Sequence, residues 1–172
     1  LFAISHDTNW MAAIVAIYFF KRLSLPLKVL GIFHIIFPIH NLMAKYMAIT
    51  YHNNIPSLHS EIHIQFITYW LFFFLVFPKK SQRKFMLVIL AFYLVISVIS
   101  TIYWDNFFEP PGTLNMIVMC LMLIVCLIYF FHIYIESKIL YIEKDPDFLV
   151  GSSILLINMS YVFLEYFNEY LN

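Results

Sequence analysis

Long apolar runs separated by short polar breaks organise this chain. A membrane core of ~30 Å takes roughly 20 mostly apolar residues in helical form, and five runs satisfy that: 27–50, 55–77, 84–104, 114–135 and 148–170. A weaker run over 10–20 comes first. It reaches a full span only by including 1–9, where Ser5, His6, Asp7, Thr8 and Asn9 cluster. The pattern predicts an all-α polytopic transmembrane bundle with six spans, the first one weak. No internal repeat or linker interrupts it, so 1–172 reads as a single transmembrane helical domain.

The breaks carry turn chemistry. Asn53-Asn54-Ile55-Pro56 disfavours continued helix, with Ser57 the expected N-cap of the next one. Pro78-Lys79-Lys80-Ser81 and Glu109-Pro110-Pro111-Gly112-Thr113 end the following spans, and Glu143-Lys144-Asp145-Pro146-Asp147 precedes the last, with Asp147 expected to cap it. Connections this short make consecutive helices antiparallel neighbours.

Composition narrows the class. Hydrophobic residues make up 63% and charged residues 12%, against about 25% charge in a soluble domain. The mean hydropathy is +0.84. Disorder, a disulfide scaffold and a nucleic-acid-binding module need more polarity than this. The partner implied is the lipid bilayer, with no nucleic acid. Cys120 and Cys126 are six apart on one helix and point about 240° apart, so they cannot pair and read as small apolar residues.

Charge sets the orientation. Lys21, Arg22, Lys28, Lys79, Lys80, Arg83, Lys84, Lys138 and Lys144 all fall on one side, and only Lys45 lies elsewhere. The positive-inside rule makes that side the cytoplasm and puts the N-terminus outside. The chain opens on Leu1 rather than Met, and six spans return the C-terminus to the outer side. A seventh helix is therefore expected beyond the sequence given.

Ionisable groups within spans are functional candidates by default. In 27–50, His34, Asn41 and Lys45 share one helical stripe with Pro38, while His40 lies on the opposite face, turned toward another helix. In 55–77, His59 and His63 stand at i and i+4, a spacing that lets two imidazoles meet one zinc ion, and Glu61 faces elsewhere. In 148–170, Gly151, Asn158, Tyr161, Glu165 and Asn168 share a face. Together His34, Asn41, Lys45, His59, Glu61, Asn158, Tyr161 and Glu165 outline a cavity open to the outside, with Lys45 and Glu165 facing each other across it. The bland alternative is a hydrogen-bonded helix seam with a Lys reaching the headgroups.

Several short motifs add a resemblance. Lys21-Arg22-Leu23 and Leu27-Lys28, then Asn53-Asn54 followed by His59, then Asp145-Pro146-Asp147-Phe148 resemble the pattern of a family of small inner-membrane proteins of Bacteroidetes with seven predicted helices. That pattern has a Glu a few residues after the His; here Glu61 comes sooner and His63 follows. The resemblance implies a bacterial inner membrane and a seventh helix, and no reaction.

Three functions are compatible with these residues. A non-enzymatic sensor or accessory protein would bind a small molecule or a membrane-protein partner in the outer cavity, without a cofactor. A metal-dependent intramembrane hydrolase would hold Zn on His59 and His63, with Glu61 or Asp7 as base. A transporter lacks support, because no repeat and no pair of Gly/Pro-broken helices is present. Retinal chemistry lacks a Schiff-base Lys on the last span.

Overall fold

The computed structural model describes the backbone of residues 2–104, 110–136 and 144–171, and the side chains of 10–103, 110–135, 144–164 and 167. All six expected segments are helical: α1 (Phe2–Phe19), α2 (Leu25–Tyr51), α3 (Ile55–Val76), α4 (Lys80–Ile99), α5 (Gly112–Glu136) and α6 (Pro146–Leu171). A 3-10 turn, Phe20–Arg22, follows α1, and a π turn, Ser100–Trp104, extends α4. No strand is present among the described residues. Among the described residues four helices are long and apolar enough to cross a membrane: α2, α4 with its π turn, α5 and α6.

Helix starts differ from expectation in two places, each for a physical reason. At α3 the cap is not Ser57. The Asn53 side chain accepts from the Ile55 N–H at 2.9 Å, and the Asn54 carbonyl accepts from Ser57 and Leu58. The helix thus begins at Ile55, three residues earlier than a Ser57 cap would start it, and Ser57 falls inside its first turn. At α6 the cap is Asp145, not Asp147. Asp145 Oδ1 accepts from the Asp147 N–H at 2.9 Å, with Pro146 between them as first helical residue. Proline suits that position because its missing N–H would have no helical partner anyway. At α4, Gln82 Oε1 accepts from the Lys79 N–H, and Arg83 Nε donates to the Phe77 carbonyl at 2.9 Å. Arg83 thereby satisfies a carbonyl just past the C-terminus of α3.

The helices gather into two compact units, the first holding Leu1–Leu75 and the second Gly112–Asn172 together with Val76–Asp105. In the first, α1 and α2 pack closely. Gly31 of α2 faces Ala16, Phe20 and Leu23, where an added Cβ would make ordinary contacts of 3.4–3.7 Å. Helices α2 and α3 are bridged instead by large side chains, such as Phe33 and Tyr69 with ring centroids 6.1 Å apart. Phe66, Phe72 and Phe73 of α3 are fully buried.

In the second unit α5 is the most buried of the four candidate spans. Leu114, Val118, Met122, Val125, Cys126 and Tyr129 face inward at helical spacing. Close packing matters more here than apolarity, since lipid tails are as apolar as Leu and helices associate through van der Waals contact and hydrogen bonds.

Candidate functional site

Serine and threonine hydroxyls must find acceptors inside a membrane, and the nearest is the carbonyl one turn back. Thr68, Thr101, Ser152, Ser153 and Ser160 all donate to residue i−4 at 2.7–2.9 Å. Asn158 is buried and does the same, its Nδ2 donating to the Ile154 carbonyl at 2.7 Å. These groups are satisfied within their own helices. The polar face of α6 is in this respect a set of local bonds, and Tyr161 on it is half exposed.

One polar cluster joins two helices. His40 of α2 reaches across to α3, where its Nε2 lies 2.8 Å from Ser60 Oγ and 3.2 Å from Ser57 Oγ. The single Ser60 hydroxyl proton is directed to the Ser57 carbonyl at 2.8 Å. Ser60 Oγ therefore accepts from His40, which assigns the imidazole proton to Nε2. In the neutral ring Nδ1 is then a bare acceptor, and it is buried without a hydrogen-bond partner among the described residues. The ring stacks on Phe37, one turn earlier, with planes 13° apart. Glu61, half-buried beside Ser60, interacts electrostatically with His40.

The site lies deep. His40 is 11 residues, about 16 Å at 1.5 Å per residue, from the Tyr51 end of α2. The polar first turns of α3 thus stand level with the middle of α2 rather than with its Tyr51 end. Pro38, fully buried two residues before His40, has no N–H to offer the His34 carbonyl.

The other expected residues differ in exposure. His34 and Asn41 are half-buried, and Lys45 is exposed. His59 is buried at 5% exposure, and His63, one turn on and half-buried, interacts electrostatically with it. Among the described residues no group of three or more His, Cys, Asp or Glu is placed to hold a metal ion. The side chains of Asp7 and Glu165 lie outside the described residues, and with them the expected pairing of Glu165 with Lys45.

His40 was legible only as a residue turned toward a neighbouring helix. The signal that locates its partners is the Ser57-x-x-Ser60 pair, whose members share one face of α3.

No protein-family model, no curated protein and no solved structure matches this chain. Its own helices support an integral, multi-pass membrane protein.

Proposed function

We propose that this chain is a multi-pass protein of a bacterial inner membrane, with its N-terminus outside and six spans within 1–172, acting as a non-enzymatic sensor or accessory protein. Nine of ten cations on one side support the orientation. The binding element is the α2–α3 cluster of His40, Ser57, Ser60 and Glu61. The observation that carries this reading is the His40 imidazole, anchored through Nε2 by serine hydroxyls while Nδ1 is buried and unpartnered. An unmet acceptor in a low-dielectric site is costly. A small hydrogen-bond donor would relieve that cost, and a cationic one would also meet Glu61. The ligand class that fits is a small primary amine or ammonium.

Thermal unfolding of the purified protein tests this with methylammonium as probe and tetramethylammonium, which has no N–H, as control. Methylammonium should raise the midpoint, and the shift should vanish in His40→Phe. Equal shifts from both cations, or none from methylammonium, would overturn the reading.

A metal-dependent hydrolase is the alternative, favoured by the neighbouring His59 and His63. Elemental analysis of the purified protein, finding stoichiometric zinc that is lost in His63→Ala, would move the assignment there.

A further inference from the structure

Where α1 runs into α2, the two helices leave an open groove of about 380 Å³ lined by Ile17, Phe20, Lys21, Ile32, Ile35 and Ile36. Five of these side chains are apolar and one is a cation. Volumes of about 300–1,000 Å³ are typical of small-molecule sites. Lys21 and Arg22 are exposed on the 3-10 turn that closes α1, and Lys28 follows in the second turn of α2.

Among the described side chains of residues 1–75 the one carboxylate, that of Glu61, stands far from these three cations. Within residues 1–75 the acids are Asp7 and Glu61 alone. Asp7 is 14 residues back from Lys21 along α1 and its turn, about 21 Å away by helical rise. Glu61 interacts with His40, which is 12 residues, about 18 Å, along α2 from Lys28. An apolar slot whose end bears clustered positive charge matches a molecule with an apolar tail and an anionic head. Basic pockets between membrane helices hold anionic lipid head groups for this reason, and a Lys ammonium serves a phosphate as a compact point charge.

We propose that the α1–α2 groove is a binding site for one acidic glycerophospholipid, its acyl chain lying against Ile17, Phe20, Ile32, Ile35 and Ile36 and its phosphate held by Lys21 and Arg22. This goes beyond the amine-binding reading and is independent of it, since the two sites share no residue.

Native mass spectrometry of the detergent-purified protein, titrated with phosphatidylglycerol or phosphatidylcholine of matched acyl chains, tests the proposal. Phosphatidylglycerol should bind at least ten times more tightly. The K21Q/R22Q variant should bring it to the phosphatidylcholine level, while K79Q/K80Q, which removes equal charge from another basic turn, should leave it unchanged. Ile36→Trp keeps the cations and fills the groove, and should also release the lipid. All five positions are solvent- or lipid-exposed, so assembly is retained. Equal binding of the two lipids, an equal loss in K79Q/K80Q, no effect of Ile36→Trp, or displacement by excess inorganic phosphate would each overturn it.

Discussion

Gly151 of α6 lies against the ring of Tyr129 on α5 so closely that a Cβ there would stand 2.7 Å from Cε1 and 3.1 Å from Cδ1. Tyr129 is buried at 3% exposure and packs edge-on to Phe77 and Phe130, so its ring has little room to give way. The α5–α6 contact depends on this missing methyl.

Gly151→Ala should therefore destabilise the second unit by about 1–3 kcal/mol, the usual cost of overpacking. Gly31→Ala, at an equally buried glycine with contacts no shorter than 3.4 Å, should be near neutral. Unfolding in detergent compares the two. Tyr129→Leu combined with Gly151→Ala should recover part of the loss, and strict additivity would mean the ring is not the obstacle.

His52 ends α2 in the left-handed region, at φ 52° and ψ 22°, the one non-glycine positive φ among the described residues. That conformation costs a side-chain-bearing residue roughly 1–2 kcal/mol. His52→Gly should stabilise the protein by up to about 1 kcal/mol, and His52→Val should destabilise it. A lower unfolding midpoint for His52→Gly would show that the imidazole makes a compensating contact.

The start of α6 separates two neighbouring aspartates. Asp145 supplies the capping acceptor, whereas Asp147 Oδ1 is buried without a hydrogen-bond partner among the described residues. Asp145→Ala should cost about 1 kcal/mol. Asp147→Asn should cost less, because its buried Oδ1 has no described donor to lose. The order of the two unfolding midpoints decides it.

Orientation is tested by cysteine labelling in a background lacking Cys120 and Cys126. Lys80→Cys should react with an impermeant maleimide only after the cytoplasmic side is opened, and Asn53→Cys should react in intact cells. The reverse pattern would invert the topology.

Helix number and rough bounds were readable from sequence because a bilayer rewards one thing, an uninterrupted apolar run of fixed length with its backbone bonds closed inside the segment. That demand is local, so periodicity and Pro/Asn/Asp punctuation reveal it: the run over 27–50 emerges as Leu25–Tyr51 and that over 114–135 as Gly112–Glu136. Caps were less legible. Asn53 and Asp145 take the role expected of Ser57 and Asp147, because a proline one or two residues inside the helix favours the acceptor ahead of it.

The polar site is where local reasoning stops. Sharing a stripe on one helix says which residues look the same way, not what they meet. His34, Asn41 and Lys45 share a stripe, yet the tertiary structure joins His40 to Ser57 and Ser60, and Asn158 spends its amide on its own helix. Pairing across helices depends on their relative shift along their axes, which places the first turns of α3 level with the middle of α2. Sequence period carries no record of that shift. Apolar length thus determined that this chain crosses a membrane, while side-chain packing between helices decided which of its polar groups come together.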